Sequence, residues 1–220
     1  MRALVFANGD PARREVIQRW MQAGSIVIAA DGGASHALEV GVMPETVIGD
    51  LDSLAGGLRA ELEARGVRFL VHPTRKDETD LELAIRQALE RGATDITIFS
   101  ALGGRWDQSL GNILLLAMPV LRERGVPARI VDHRQTMTLI AGGAEAHIEG
   151  RAGDTLSLIA LSGDAHGVTI EGCEYPLVDA VLPFGASLGI SNVLAEPVAR
   201  VKVKQGIVLA IHMHETTLLK

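Results

Sequence analysis

Five aspartates stand at likely element ends, and carboxylates gathered there can hold a divalent cation. Asp50 and Asp52 follow the run 46–48 across Gly49, a residue that lets the chain turn sharply as a strand ends. Two apart in extended or looping chain, they can point the same way. Asp77 and Asp80 lie in Lys76-Asp-Glu-Thr-Asp80, where Thr79 with Glu82 resembles a capping box ahead of the helical run Leu81, Ala84, Ile85, Ala88, Leu89. Asp31 follows Ile26–Ala30, which reads as a buried strand, and precedes the turn Gly32-Gly33. Any one of these acids could simply cap a helix or close a turn. Five in similar settings point to a shared cation, because carboxylates held close repel unless a cation or raised pKa values relieve them. Oxygen donors with no nearby Cys or His suit Mg²⁺ or Mn²⁺ better than Zn²⁺.

A second segment has the form of a phosphate loop. Ser100-Ala-Leu-Gly-Gly-Arg-Trp-Asp-Gln-Ser-Leu-Gly-Asn112 follows an apolar strand and opens a helix predicted to run to about Leu121. Gly103 and Gly104 allow close backbone approach, the helix start offers free N–H groups, and Arg105 can fork onto phosphate oxygens. The segment is neither a Walker A loop nor a GxGxxG fingerprint. Trp106 lies inside it and can touch a ligand, whereas Trp20 reads as core. His212 and His214 share a face of the last strand with no third ligand nearby in sequence, and are expected to be exposed or to face a second subunit. Cys173 has no adjacent His or Lys, so a buried, inert thiol is expected.

The elements that must position these groups follow from periodicity. Up to about residue 132, apolar runs at 2–7, 26–30, 46–48, 67–71, 95–99 and 128–131 alternate with helical patterns, the signature of a parallel sheet. Pro11 suits the first turn of a helix reaching about Gln22, and Gly66, Gly92 and Gly125 suit helix ends. In such sheets ligands bind beyond the carboxyl ends of the strands. After residue 133 the texture changes to short alternating runs spaced by Gly, Pro and Asp, which predicts a β-sandwich or barrel. In the segment 201–204, Val201 and Val203 point inward and Lys202 and Lys204 outward. The expected fold class is therefore α/β: an N-terminal, mostly parallel sheet flanked by helices over 1–132, and an all-β sandwich domain over 133–220.

Bulk properties narrow the function classes. With 47% hydrophobic and 22% charged residues in 220, the chain reads as an ordinary globular protein. A net charge of −6 without a basic stripe argues against nucleic-acid binding. One cysteine precludes an internal disulfide and fits a reducing compartment. The first residues form too short an apolar run for a signal peptide, and no run approaches the roughly 18 residues of a membrane span, so a cytoplasmic location and no membrane partner are expected.

Six motifs in order give the chain a resemblance to the thiamine pyrophosphokinase family, also called thiamine diphosphokinases. They are Asp31-Gly-Gly-Ala-Ser, Gly49-Asp-Leu-Asp-Ser53, Lys76-Asp-Glu-Thr-Asp80, Leu102-Gly-Gly-Arg-Trp-Asp-Gln108, Gly172-Cys-Glu-Tyr-Pro-Leu177 and Ser187-Leu-Gly-Ile-Ser-Asn192. The resemblance implies a catalytic α/β domain that binds ATP and Mg²⁺, and a β-sandwich domain for thiamine binding and dimerisation. It also implies a homodimer with active sites between subunits. The implied reaction is attack of thiamine's primary hydroxyl on the β-phosphorus of ATP, with AMP leaving. By resemblance, Asp31, Asp50, Asp52 and Asp80 would hold Mg²⁺, and Asp80 would also approach the thiamine. Asp77 and Thr79 would support them. Gly32, Gly33, Gly103, Gly104, Arg105 and Asp107 belong to the nucleotide-facing segments, and Ser191 and Asn192 would reach the partner subunit's thiamine. Asp80 or Asp107 is a conceivable general base. The sequence departs from some relatives at Gln108, where they carry His, and at Val193-Leu-Ala-Glu196, where they place an aromatic. The nearest alternative is diphosphate transfer to another hydroxymethyl compound such as a pterin. A different class is a sensor that binds nucleotide or thiamine without turnover.

Overall fold

The computed structural model describes residues 1–52, 54 and 57–214, so Ser53 of the second motif lies outside the described residues. The chain divides into two compact units, Met1–Asp132 and His133–Lys220.

The first unit is built on six strands, β1 (Arg2–Phe6), β2 (Ile26–Ala30), β3 (Thr46–Gly49), β4 (Arg68–Val71), β5 (Asp95–Phe99) and β6 (Ala128–Val131). Every pairing among them is parallel, in the order β6-β5-β1-β2-β3-β4. β2 and β3 are buried at every residue, which is why they read as continuous apolar runs rather than as alternating patterns. Covering helices are α1 (Arg14–Trp20), α2 (Gly33–Glu39), α3 (Leu58–Ala64), α4 (Asp80–Glu90), α5 (Trp106–Leu115) and α6 (Pro119–Glu123). α4 buries Leu81, Ala84, Ile85, Ala88 and Leu89, the stripe its sequence predicts. The sequence order runs outward from β1 through β2 to β4 on one side and through β5 to β6 on the other. The sheet therefore has its topological switch between β1 and β5, and a crevice opens beyond the carboxyl ends of those strands.

Three sequence expectations in this unit need correction. The helix expected from Pro11 begins at Arg14, because 8–12 form a loop bonded to the residues after β5. The helix expected to run to Leu121 stops at Leu115, and α6 starts afresh at Pro119, whose missing N–H is harmless only in a first turn. Trp20 is half-buried rather than core, with the Arg2 and Arg129 guanidinium carbons 5.7 Å and 5.0 Å from its ring centroid and both arginines paired to Asp95.

The second unit is all β. One sheet has the order β12 (Asn192–Val193), β9 (Thr155–Ala160), β14 (Ile207–Met213), β7 (Gln135–Ala141). The other has the order β11 (Leu177–Leu182), β10 (Ala165–Glu171), β13 (Val198–Lys202), β8 (Glu145–Glu149). Their pairings are antiparallel, and one apolar cluster draws Ile140, Leu156, Leu158 and Val208 from the first sheet and Ile148, Val168, Leu182 and Val201 from the second. A single core fed by inward faces of two antiparallel sheets is a sandwich. Val201 and Val203 are fully buried while Lys202 and Lys204 are exposed, as the alternation predicts. Cys173 is buried, and burial pushes its thiol pKa up, which leaves it inert. No helix among the described residues is long and apolar enough to cross a membrane.

Candidate active site

The crevice at the switch point is a cleft of about 610 Å³, lined from the loops after β1, β2, β3 and β5 and from the start of α4. The loops after β1 and β5 are laced together. Gly9 N–H donates to the Ser100 carbonyl at 2.7 Å, Asp10 N–H to the Leu102 carbonyl at 2.7 Å, and Ala12 N–H to the buried Ser100 hydroxyl at 3.1 Å. On the β5 side, the Ser109 hydroxyl accepts from Gly103 N–H at 3.1 Å and the Asn112 amide donates to the Ala101 carbonyl at 2.8 Å. The side chain missing from Gly103 would collide with the Asp10 carboxylate. A loop held from both sides presents its N–H groups at a fixed place, as anion binding requires.

The acidic wall comes from β2 and β3. Asp31, Asp50 and Asp52 each offer a carboxylate oxygen, and the three oxygens lie within 4.8 Å of one another. The backbone reaches this arrangement through left-handed conformations at Asp31 (φ 46°) and Leu51 (φ 65°). A branched residue such as Leu adopts that region only when its surroundings hold it there. Asp31 is 6% exposed, and its Oδ1 has no hydrogen-bond partner among the described residues. A buried carboxylate oxygen without a donor is costly unless a cation completes it, and three converging carboxylates are the donor set a hard divalent ion takes. The residues present thus fit Mg²⁺ or Mn²⁺.

Asp50 accepts the Asp52 N–H at 3.3 Å, and this bond, with help from the Thr74 hydroxyl and the Lys76 charge, holds its carboxyl below the usual carboxylate range. A depressed pKa gives stability that is complete above the unfolded-state value and lost only as pH falls through the folded one. An NMR titration of the Asp50 carboxyl should therefore show a midpoint below that of an unstructured aspartate. A midpoint at or above the ordinary value would show that the turn bond and Lys76 do not act as described.

Asp80 lines the same cleft but is not part of the three-oxygen group. A Cβ on Gly49 would lie 3.0 Å from the Asp80 carboxyl carbon and 3.1 Å from Asp31 Cβ, so only a glycine lets these two acids flank the end of β3. Lys76 Nζ sits 2.9 Å from Asp80 Oδ1, close enough for an ion pair but not aligned as a hydrogen bond, and that oxygen is otherwise buried without a partner. Thr79 caps α4, its hydroxyl accepting from Glu82 N–H at 3.2 Å, while the Glu82 carboxylate turns to Arg86 instead of closing the capping box. Arg105, Gly103 and Gly104 line the opposite wall.

Six residues expected from sequence do not line the cleft, four of them in the first unit. Asp77 is exposed in the bend before Thr79. Asp107 is exposed and bound to the Arg105 guanidinium, which holds its carboxyl below the ordinary range. Gly32 and Gly33 are buried, with the Asn8 side chain and the Phe6 and Ala7 carbonyls occupying the space their side chains would need. Ser191 and Asn192 belong to the second unit. Ser191 is left-handed (φ 61°), its N–H bonded to the Ser157 hydroxyl at 3.0 Å. The buried Asn192 amide accepts from Tyr175 N–H at 3.0 Å and donates to the Tyr175 carbonyl at 2.7 Å, so it clasps the Tyr175 segment. Sequence reasoning overlooked Asn8, Gly9 and Asp10 as cleft residues. The available signal was an Asn-Gly-Asp-Pro loop directly after an apolar strand.

Comparisons with known proteins identify the family and the fold. The family description "Thiamin pyrophosphokinase, catalytic domain" matches residues 17–127, and "Thiamin pyrophosphokinase, vitamin B1 binding domain" matches 145–208. The thiamine pyrophosphokinase of Bacillus subtilis is 32% identical over 184 residues, covering 84% of this chain and 85% of the relative. A crystal structure of thiamine pyrophosphokinase from Bacillus subtilis superposes with a TM-score of 0.87 at 29% identity, covering 98% of this chain and 100% of that one. The Geobacillus thermodenitrificans structure gives 0.84 at 26% identity with full coverage of both chains. The Candida albicans thiamin pyrophosphokinase, at 18% identity, a TM-score of 0.81 and coverage of 96% of this chain and 88% of that one, shares the fold. By the family match across both units and the identity to a curated relative, this chain belongs to the thiamine pyrophosphokinase family and is a thiamine diphosphokinase.

Proposed function

We propose that the chain transfers the diphosphate of ATP to the primary hydroxyl of thiamine, giving thiamine diphosphate and AMP, with Mg²⁺ as the working cation and Mn²⁺ as a substitute. The observation that carries this reading is the meeting of three carboxylate oxygens, with the partnerless Asp31 Oδ1 beside them, in the switch-point cleft of a family member. Asp31, Asp50 and Asp52 would hold the ion, which when bound neutralises phosphate charge and favours in-line geometry. Asp80 completes the acidic wall and, beside Lys76, orients the acceptor hydroxyl and can take its proton. Asp107 is the weaker base of the two candidates, because it is exposed and does not line the cleft, whereas Asp80 does. Arg105 and the Gly104 N–H bind phosphate oxygens, the Gly103 N–H being held by the Ser109 hydroxyl, a role in which Arg105 exchanges its Asp107 partner for the ligand. Asp77 and Thr79 support the start of α4, and Gly32-Gly33 set the distance of α2 from β1 and thereby the position of Asp31. Rate then comes mainly from positioning and fixed charge.

In this reading residues 1–132 carry nucleotide and cation, and 133–220 carry thiamine recognition and contact with a second copy. Ser191 and the Asn192-held Tyr175 segment serve the thiamine of the partner subunit. Exposed Tyr175, Phe184, Leu188 and Ile190 on the second unit, and Trp106, Leu110 and Leu114 at helical spacing on α5, are apolar surface that a homodimer would cover. The setting is cytoplasmic.

Incubation of the chain with Mg-ATP and either thiamine or a hydroxymethyl pterin tests the acceptor. AMP release with thiamine and none with the pterin is expected. AMP release with the pterin alone would overturn the acceptor assignment, and thiamine binding without AMP release would make the chain a sensor.

A further inference from the structure

The second unit contains a cluster that the acidic cleft does not use. Asp154 closes a turn in which its own N–H donates to the Arg151 carbonyl at 3.0 Å and its Oδ2 accepts the Arg151 N–H at 2.9 Å. It is 3% exposed. His212, in β14 and equally buried, places Nε2 2.9 Å from the same Oδ2. His214, just past the end of β14, places Nδ1 3.8 Å from it, and the two imidazoles meet edge to face with centroids 4.2 Å apart. The expectation of an exposed or subunit-facing histidine pair without a third ligand is thus overturned for His212. The third ligand comes from 58 residues away in sequence.

Strand register explains the convergence. β9 and β14 pair with Met213 opposite Thr155, so the next step outward sets His214 opposite Asp154. His212 falls on the same side of the strand as His214. One ligand atom from each of the three residues lies within 4.8 Å of the others. Ligands on a tetrahedral Zn²⁺ stand about 3.3 Å apart for metal–ligand bonds near 2.0 Å, a separation the observed 2.9 Å and 3.8 Å contacts bracket. A Cβ on Gly150 would lie 2.7 Å from both His212 Nε2 and Leu194 Cδ2, so the glycine leaves this imidazole edge its place beside Asp154.

The chemistry differs from that of the Asp31 group. Two imidazoles and one carboxylate favour borderline transition-metal dications over Mg²⁺. The backbone N–H of Arg151 on Asp154 is the kind of outer bond that orients a ligating carboxylate. We infer that Asp154, His212 and His214 form a three-ligand site for a Zn²⁺-class cation, with water in the remaining position, that fastens the end of β14 to the start of β9.

Zinc titration of the metal-free full-length chain, with Mg²⁺ in excess to occupy the acidic cleft, tests the inference. About one equivalent should bind the wild type and the Asp50→Asn variant alike, and His214→Gln should weaken binding at least about tenfold, the scale on which even outer-shell changes act. Zn²⁺ should raise the Tm of the wild type and not that of His214→Gln, whose partly exposed side chain makes misfolding an improbable cause. Co²⁺ should give visible bands of tetrahedral intensity in the wild type that His212→Gln and His214→Gln lose. Absence of zinc uptake by the wild type, or equal uptake by wild type and His214→Gln, overturns the site. Neither result bears on diphosphate transfer.

Discussion

Replacing Asp50 or Asp52 with Asn should lower turnover by about 10²- to 10³-fold, the scale on which removal of one preorganised electrostatic contact acts, while the unfolding transition stays in place. Asp50 is half-buried and Asp52 exposed, so neither supports the core. Asn keeps an oxygen able to accept the Asp52 N–H and hence keeps the turn. What it loses is the negative charge facing Asp31, and with it the affinity for a hard cation. Steady-state AMP release, measured beside circular dichroism melting, separates the two roles. Wild-type turnover in both variants would show that these acids only close the loop after β3.

Gly33→Ala should destabilise the ligand-free chain by about 1–3 kcal/mol, the usual cost of forcing a methyl group into a filled core. The new methyl would strike the Phe6 carbonyl, with its carbon 2.7 Å away and the Ala7 carbonyl oxygen 2.9 Å away. Backbone at the end of a central strand cannot step aside, so α2 must lift from β1. The Asp31 carboxylate, two residues before the helix, moves with it. For a chain of this length each kcal/mol corresponds to about 2–4 °C in Tm. Thermal unfolding without ligands measures the effect. An unchanged Tm combined with weaker nucleotide binding would instead assign Gly33 to direct contact with the ligand, the role its motif implies by resemblance.

These two cases also separate what the sequence carries from what it hides. Parallel strands such as Ile26–Ala30 are buried on both faces, so their composition alone announces them, and an acid placed just after such a run is easily marked. Asp31, Asp50 and Asp52 were legible for that reason. Asn8, Gly9 and Asp10 were not, because their place in the cleft depends on bonds to Ser100 and Leu102, more than 90 residues away. The same limit explains His212: a histidine two residues from another reads as an exposed pair until the antiparallel register of β9 and β14 brings in Asp154. Local rules erred where two of them competed. Pro11 suits both a helix start and a loop, and the loop prevailed through its bonds to the residues after β5. The apolar pattern of α5 continues through Leu116 and Met118, but Pro119 can only begin a helix, and so the run divides.

The same contrast applies within the site. Carboxylate identity and order were readable, and the resemblance already set Asp80 nearest the acceptor and Asp77 in support, but the contacts that fix each acid were not. Asp80 lies outside the three-oxygen group and pairs with Lys76 at the start of α4, next to the capping Thr79. Asp107, adjacent in motif to Arg105, faces that arginine rather than the cleft.

The account turns on transfer of a diphosphate, not a single phosphoryl group, across the acidic cleft to thiamine. Product analysis of the wild-type chain with thiamine, ATP and Mg²⁺ tests this most directly. Thiamine diphosphate and AMP should form in equal amounts, and the reaction should stop when a chelator removes the cation. Formation of ADP with thiamine monophosphate, or undiminished turnover in the chelator, would contradict it.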